Sequence, residues 1–214
     1  MRGAKKGLLH TAGVNHTTNE RVTALMDKYL PPNIVTSRDW RIAYVDGTKR
    51  ESADDLLLKG MGGYDKVLVD APSSHEGYIA QAMVGGDRGL VLEELRDWKP
   101  SSITQRAAVQ LKLLMSALRA VRIGGRVVYT TNSISDEEND GVVANAISLN
   151  EEVAIDGASS WTAQLELLSD EVEQRLAADW AEQTTYGWMI LPDHAGGGGW
   201  GPRYISILTK TCRT

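Results

Sequence analysis

The sequence predicts an α/β domain with a mainly parallel sheet. Short apolar segments alternate with segments whose apolar residues recur at helical spacing, and glycine and proline separate them. The 214 residues, 42% hydrophobic and 24% charged, are enough to bury roughly 70% of the unfolded surface. No apolar run reaches the roughly 18–20 residues of a membrane span, so we expect no membrane contact. We predict one domain over residues 1–214.

The first half of the chain is predicted to contain three strands and one helix. The strands cover 7–14, 41–45 and 65–69, and the helix lies between the first two. Thr17 or Thr18 is the expected N-terminal cap, and Pro31-Pro32 ends the helix because proline cannot continue it. The expected buried face holds four residues at helical spacing: Val22, Leu25, Met26 and Tyr29.

The second half continues the alternation after an irregular stretch over 71–100. Ser101 or Ser102 is expected to cap a long helix over about 103–122, which Gly124-Gly125 ends. The further predicted elements are a strand over 126–131, helices over 137–149 and 169–183, and an antiparallel pair formed by 188–191 and 204–209.

Polar residues stand where three of the predicted parallel strands end. Asp46 and Asp70 follow two of these strands, and Thr131-Asn132 follows a third. Open parallel sheets bind ligands beyond the carboxyl ends of their strands, so these residues predict a binding site at one rim of the sheet. Asp46 followed by glycine also fits an ordinary turn.

The formal net charge of −5 is unevenly distributed along the chain. Residues 1–50 contain nine Lys or Arg against four Asp or Glu, a local +5, whereas residues 132–182 contain thirteen acids and one base, a local −12. The acidic segment fits either solvated helix faces or an interface with a basic protein. Four residues of the basic end are candidates for contacts with RNA phosphates: Arg2, Lys5, Lys6 and Arg21.

The sequence offers little for metal or thiol chemistry. Cys212 is the single cysteine, which excludes a disulfide framework and a cysteine-rich zinc site. His75-Glu76 has the start of a zinc motif without a second histidine at the required spacing, so we expect a surface loop and no metal. Residues 196–201 match G-x-G-x-x-G but open no strand–turn–helix unit, and we interpret them as a flexible loop.

Four segments follow one another in an order typical of one known family. Residues 70–74 read D-A-P-S-S, and residues 105–118 contain Q-L-K-L-L-M-S-A. Residues 124–133 read G-G-R-V-V-Y-T-T-N-S, and residues 138–140 read E-N-D. These segments resemble the D-A-P-C-S, Q-x-x-L-L-x-x-A, G-G-x-x-V-Y-S-T-C-S and E-N-E segments of the NSUN family of RNA:(cytosine-5) methyltransferases. Residues 201–204, G-P-R-Y, are similar to a G-P-x-Y stretch of the family's mitochondrial ribosomal branch.

The resemblance implies a class I, Rossmann-like methyltransferase fold, mostly parallel with a C-terminal antiparallel strand pair. In that fold a first strand and its Gly-rich loop hold S-adenosylmethionine, and no segment like them precedes Gly7. Without that strand the neighbouring strands would leave unpaired edges inside the fold. We therefore expect either that the gene product begins upstream of Met1 or that another segment fills the gap.

The family's site residues carry over position by position. The resemblance implies cofactor contacts at the ribose for Asn15, where the family has an acid, at the adenine for Asp46, and at Asp70. It places Asn132 at the position of the nucleophilic cysteine and Ser73 at that of the second cysteine. Asparagine carries no nucleophile and serine needs an activating base, so no catalytic residue is intact.

These substitutions favour a catalytically degenerate homologue that acts as a scaffold in mitochondrial large-subunit ribosome assembly. Its expected partners are ribosomal RNA and ribosomal or assembly proteins, among them a helical-repeat protein, and no cofactor is expected. One alternative is an active S-adenosylmethionine-dependent rRNA methyltransferase whose missing motif lies outside this chain. Another is an enzyme of different chemistry that uses Asp70, Ser73 and His75. A nicotinamide oxidoreductase would need a Gly-rich turn after the first strand and is least favoured.

Overall fold

The computed structural model describes residues 7–33, 40–49, 62–74, 76, 79, 83, 89, 99–153, 161–164, 181–192 and 202–212. The chain divides into two compact units, Met1–Ser52 (the smaller unit) and Ala53–Thr214 (the larger unit). A single domain over the whole chain therefore stays a prediction. In the described ranges, no helix combines the length and the apolar character needed to span a membrane.

The described residues of the smaller unit form two parallel strands and one helix. Its elements are β1 (Leu9–Gly13), α1 (His16–Tyr29) and β2 (Trp40–Tyr44). β1 and β2 pair in parallel, with Leu9 opposite Trp40 and Gly13 opposite Tyr44. The predicted alternation of strand and helix is confirmed here, with boundaries that differ from the predicted ones by one or two residues.

The predicted cap and buried face of α1 are both wrong in part. Asn15 is the N-cap residue, because its side-chain oxygen accepts the Thr18 N–H at 2.8 Å. Leu25 is 54% exposed and Tyr29 is 70% exposed, although both lie on the predicted apolar face. A helix beside only two strands has too little apolar surface to cover such a face.

The larger unit is built on a sheet of six described strands. Its elements are β3 (Tyr64–Asp70), α2 (Pro100–Ala120), β4 (Val121–Thr131), a 3-10 turn (Asp136–Glu138), α3 (Asp140–Val153), β5 (Trp161–Gln164), β6 (Glu182–Gln183), β7 (Trp188–Ile190) and β8 (Arg203–Cys212). The strand order is β3-β4-β8-β7-β6, and β5 pairs with β8. Only β3 and β4 are parallel. Among the described strands β3 pairs with β4 alone, so it forms an edge of this sheet.

The described core of the larger unit lies between the sheet and the helices α2 and α3. Leu114 and Leu118 of α2 and Val143 of α3 are fully buried against Val127 and Tyr129 of β4. Each buried side chain of this size stabilises the fold by roughly 1.5–3 kcal/mol. The antiparallel pair predicted near the C-terminus is confirmed, since β7 pairs with β8.

The predicted ends of the long helix are wrong. Pro100 occupies the first turn of α2, where its missing N–H costs no helical hydrogen bond, and the N-cap residue Lys99 makes no side-chain cap bond, because an ammonium group cannot accept one. The helix ends at Ala120 rather than at Gly124-Gly125. These glycines instead form an irregularity in β4, where residues 121–126 of β4 face residues 64–66 of β3. Gly124 has φ +74° there, a conformation that favours glycine.

Two further expectations change or fall outside the described residues. The segment over 71–100 is not wholly irregular, because four described residues are helical: Glu76, Ile79, Met83 and Gly89. The helix predicted over 169–183 is wrong at its end, since Glu182–Gln183 is a strand paired with β7. Its remainder up to residue 180 and the glycine loop at 196–201 lie outside the described residues.

Candidate functional site at the ends of β3 and β4

The parallel strands β3 and β4 end side by side. Asp70 is the last residue of β3 and stands opposite Thr130, one residue before the end of β4. The pairing continues past β3, because the Ala71 N–H donates to the Thr130 carbonyl at 2.9 Å. The predicted juxtaposition of Asp70 with Thr131-Asn132 is therefore confirmed.

A buried carboxylate holds the loop that follows β3. Glu138 has no exposed surface. Its Oε2 accepts the Ser74 N–H at 3.0 Å and a Gln110 Nε2 hydrogen at 2.6 Å. The same Gln110 Nε2 donates to the Pro72 carbonyl at 2.8 Å. The loop from 71 to 74 is thus tied both to α2 and to the turn before α3.

The hydroxyl of Ser133 joins the two loops. It donates to Glu76 Oε2 at 2.8 Å, lies 3.2 Å from Glu138 Oε1, and is 3.1 Å from the Ser74 hydroxyl. Glu76 Oε2 also accepts the Ile134 N–H at 3.1 Å. The carboxylates of Glu76 and Glu138 therefore hold the two residues that follow Asn132.

Asn139 holds the end of β4 by two side-chain hydrogen bonds. Its Oδ1 accepts the Thr131 hydroxyl at 2.6 Å, and its Nδ2 donates to the Ser133 carbonyl at 2.9 Å. Thr131 and Ser133 are both fully buried. The residue between them is Asn132, so its backbone is held on both sides.

Asp140 anchors the start of β8. Its carboxylate accepts the Tyr204 hydroxyl at 2.6 Å and the Thr184 hydroxyl at 2.8 Å. It also accepts the backbone N–H groups of Thr185 at 2.7 Å and Tyr186 at 3.1 Å. Burial and the hydrogen bond to Asp140 raise the pKa of the Tyr204 phenol far above its usual value. The phenol therefore remains a hydrogen-bond donor across the physiological range.

The tripeptide Glu138-Asn139-Asp140 thus connects three neighbouring strand ends. Glu138 holds the loop after β3, Asn139 the end of β4, and Asp140 the start of β8. From the sequence these three residues suggested only a family likeness and part of an acidic segment. Three consecutive buried polar residues ahead of a helix were the available signal, but burial is not readable from one sequence.

The two positions at which the resemblance places the family's cysteines are Asn132 and Ser73. Asn132 follows β4 directly and is partly buried, and its amide makes no hydrogen bond to the described part of the chain. Ser73 is 3% exposed in the loop after β3. In the described ranges, no hydrogen bond joins its hydroxyl to a basic side chain. His75 lies outside the described residues.

Asp70 faces a cation that sequence reasoning missed as a site residue. Its carboxylate is 66% exposed and lies 3.6 Å from Arg203 Nη1. The same guanidinium nitrogen lies 3.4 Å from the Thr130 hydroxyl. The available signal was the G-P-R-Y stretch, whose arginine begins β8 directly beside the end of β4.

The predicted cofactor contacts of the smaller unit make local bonds. Asn15 caps α1, and Asp46 Oδ1 accepts the Thr48 N–H at 3.0 Å and its hydroxyl at 2.6 Å. The hydrogen bonds from Thr48, and then the Lys49 ammonium, hold the pKa of Asp46 below its usual value. A cofactor role for Asn15, Asp46 and Asp70 stays a prediction.

The remaining candidate residues are placed as follows. Arg21 is exposed on α1, whereas Arg2, Lys5 and Lys6 lie outside the described residues. Cys212 is the last residue of β8 rather than a residue beyond the final strand. Within the described residues, no group of three His, Cys, Asp or Glu side chains is arranged to hold a metal ion.

The α/β sheet with its rim of loops has the Rossmann-like fold of S-adenosylmethionine-dependent methyltransferases. Residues 33–185 match the 16S rRNA methyltransferase RsmB/F family, and the chain belongs to it. This family and its named relatives are RNA cytosine-5 methyltransferases. The proposed NSUN resemblance is confirmed at this level.

Among curated proteins, the chain is 30% identical to a mitochondrial tRNA (cytosine(34)-C(5))-methyltransferase of Danio rerio over 218 residues. That match covers 98% of this chain and 50% of the relative, so the chain spans about half the relative's length. The chain is also 36% identical over 105 residues to the 5-cytosine rRNA methyltransferase nsun-4 of Caenorhabditis elegans, covering 47% of this chain and 20% of the relative.

Solved structures show the same fold at low sequence identity. The crystal structure of NSun6 from Pyrococcus horikoshii with SFG aligns with a TM-score of 0.61 and 16% identity, covering 97% of this chain and 42% of that one. A methyltransferase homolog protein from Pyrococcus horikoshii aligns with a TM-score of 0.52 and 16% identity, covering 95% of this chain and 53% of that one.

Proposed function

We propose that this chain is a catalytically inactive member of its family that binds RNA as a scaffold in ribosome assembly. One observation carries the proposal. Asn132 and Ser73 stand at the two positions where the resemblance expects cysteines, on a rim that Glu138 and Asn139 hold by hydrogen bonds. The hydrogen bonds that hold these two loops are present, and the two expected thiols are not.

The reaction that the resemblance implies needs a thiolate that attacks the cytosine ring. Thiolates form near neutral pH and are strong nucleophiles. The Asn132 amide has no such nucleophilic group, and the Ser73 hydroxyl would need a base within hydrogen-bond reach. The described hydrogen bonds of this loop provide none, which supports the loss of catalysis.

Cys212 offers no substitute thiol. β8 runs antiparallel to β4, with Tyr204 opposite Thr131 at the rim. Cys212 lies eight residues further along the same strand and pairs with Trp161. At about 3.3 Å per residue it is roughly 26 Å from the rim. A side chain at that distance cannot attack a base held beside Asn132.

The smaller unit supports the proposal that the chain holds no S-adenosylmethionine. The Asn15 side-chain oxygen is committed to the Thr18 N–H, and one Asp46 oxygen to Thr48. A Cβ at Gly13 would lie 2.3 Å from Asn19 Oδ1, so this glycine makes room for Asn19. These three features serve local packing, which leaves fewer groups for a ribose.

The proposed partners are ribosomal RNA and proteins of an assembly intermediate, and the proposed location is the mitochondrion. Two relatives support this: one is named mitochondrial, and another is named a 5-cytosine rRNA methyltransferase. The basic charge over residues 1–50 supports a phosphate contact. The acidic segment is less available to a protein partner than its charge suggests, because Glu138 and Asp140 are buried and hydrogen-bonded.

The proposal is tested by methyl transfer from tritiated S-adenosylmethionine to a ribosomal RNA fragment, with an active family member as the positive control. We expect counts equal to the no-protein blank, both for the natural chain and for the double variant Asn132→Cys, Ser73→Cys. Transfer by the natural chain above the blank contradicts the loss of catalysis. Micromolar S-adenosylmethionine binding in calorimetry contradicts the loss of the cofactor.

The scaffold role is tested by filter binding of the same RNA at increasing salt. Phosphate contacts predict an affinity that falls steeply with salt. Arg21→Glu, alone and together with charge reversal at Arg2, Lys5 and Lys6, should weaken binding. Lys112→Glu reverses an exposed charge of the larger unit and serves as the matched control. Equal binding by all of these variants contradicts an RNA contact at the basic end.

A further inference from the structure

We infer that Asn132 reads a nucleobase of the bound RNA through hydrogen bonds to its edge, without any covalent step. This inference rests on the proposed RNA-binding function and adds a specificity-determining residue to it. It follows from three features of the rim: the fixed backbone at Asn132, its unpaired amide, and a nearby carboxylate that disfavours a phosphate.

The backbone at Asn132 is held more firmly than that of an ordinary loop residue. Thr131 and Ser133 on either side are fully buried, and Asn139 bonds to both. Glu76 holds the next residue, Ile134, through its N–H. A recognition group on such a backbone loses little conformational freedom when it binds, because that freedom is already lost on folding.

The amide of Asn132 makes no described hydrogen bond, whereas its polar neighbours do. The side chains of Thr131, Ser133 and Asn139 all form hydrogen bonds within the rim. The Asn132 amide makes no bond to any described residue and is only partly buried. Its two N–H donors and its carbonyl acceptor are therefore available to a ligand bound at the rim.

The charge beside Asn132 disfavours a phosphate group. The Asp70 carboxylate at the end of β3 is paired with Arg203 at 3.6 Å, whereas the Glu76 carboxylate, which accepts from Ser133 and Ile134, adds a negative charge close to Asn132. That carboxylate would repel a phosphate. A planar group that offers a donor next to an acceptor carries no such charge, and in RNA that group is a base edge.

Amide chemistry also predicts which substitution changes the preference. An asparagine side chain can donate to and accept from one base, as it does with adenine N7 and N6. Aspartate at the same position can only accept. The Asn132→Asp variant should therefore bind more weakly to bases that need a donor from the protein. It should bind more tightly to guanine, whose N1–H and N2–H₂ are adjacent donors on one edge.

The test measures fluorescence anisotropy of labelled single-stranded RNAs that differ at one central nucleotide: A, C, G, U or an abasic site. The natural chain should bind the preferred base about tenfold more tightly than the abasic RNA. Asn132→Ala should remove this difference while the salt dependence of binding stays the same. Asn132→Asp should move the preference to G. Asn145→Ala, an exposed position on α3, is the matched control and should behave as the natural chain.

The possible outcomes separate this inference from the proposed function. If all five RNAs bind equally to the natural chain, or if Asn132→Ala retains the preference, base reading by Asn132 is wrong and RNA binding stands. If no RNA binds even at low salt, RNA binding and base reading are both wrong. Folding of each variant is checked by its urea midpoint, which should not change because Asn132 makes no described hydrogen bond.

Discussion

The strand ends of the larger unit and those of the smaller unit hold their polar side chains in opposite ways. In the larger unit Glu138 and Asp140 are buried, and each bonds to residues 64 positions away in sequence. In the smaller unit Asn15 and Asp46 bond to N–H groups two or three residues away, and Asn15 is exposed. One set of contacts is long-range and the other is local.

This difference separates residues that hold the fold from residues that perform chemistry. Removing a buried carboxylate leaves its donors unpaired and lowers the stability of the whole unit. Asn132 and Ser73, at which we propose the loss of thiols, make no described side-chain hydrogen bond. Under that proposal, reactive groups can change while the buried hydrogen bonds around them stay.

The largest effect expected is that of Asp140→Ala. The change leaves four donors without their acceptor, among them the buried Tyr204 hydroxyl. We expect a loss of about 3–5 kcal/mol in the free energy of unfolding, measured by urea denaturation. Asp136→Ala removes an exposed acid from the neighbouring turn and should change it by less than about 0.5 kcal/mol. Equal losses of unfolding free energy in the two variants would contradict the distinction between buried and exposed acids.

A smaller loss is expected for Glu138→Gln. The amide keeps the size of the side chain but removes its charge, so the Ser74 N–H and the Gln110 amide donate to a weaker, neutral acceptor. The new NH2 group takes the place of Oε1 beside the Ser133 hydroxyl. We expect about 2–3 kcal/mol of destabilisation by the same measurement. Glu137→Gln is the control, since Glu137 is exposed and bonds only to the Thr104 hydroxyl in the described ranges. If Glu138→Gln leaves the free energy of unfolding unchanged, the buried contacts of Glu138 contribute no net stability.

Alkaline pH should destabilise the larger unit. Burial first, and neighbouring carboxylates next, raise the pKa of Tyr129 and Tyr204 above the usual value of 10.0. Above pH 10 the unfolded chain loses both protons and the folded one keeps them, so stability falls as pH rises. Each phenol contributes a slope of about 1.4 kcal/mol per pH unit.

The variant Tyr204→Phe isolates this effect. It removes one of the two phenols, so its unfolding free energy should fall less steeply above pH 10 than that of the natural chain. Urea midpoints measured from pH 8 upward, in roughly half-unit steps, give both slopes. Parallel pH profiles for Tyr204→Phe and the natural chain contradict the burial argument.

The smallest effect is expected in the smaller unit. Asn15→Ala removes the cap of α1 and should cost about 1 kcal/mol, seen as faster hydrogen exchange of the Thr18 amide. Asn15→Ser keeps a capping oxygen and should restore the protection. If the alanine variant exchanges as slowly as the natural chain, the cap is not the role of this side chain.

Periodicity predicted the elements well and their ends poorly. The long helix was predicted because its apolar positions recur over six turns, and Leu114 and Leu118 are indeed buried. Its C-terminal end was misplaced because Gly124-Gly125 fits a helix stop and a strand irregularity equally well. The strand irregularity forms because β4 pairs with β3, which lies about sixty residues earlier in the chain. Local patterns carry no information about that neighbour.

The sequence alone determined the α/β class and the family likeness, because these depend on residue types, spacing and periodicity. Only the tertiary structure decided which polar residues carry the rim. Glu138, Asn139 and Asp140 look like part of a solvated acidic run in sequence, yet the fold buries all three and brings donors from distant segments to Glu138 and Asp140. Burial and long-range pairing arise when strands and helices pack together, and no local stretch of sequence contains them.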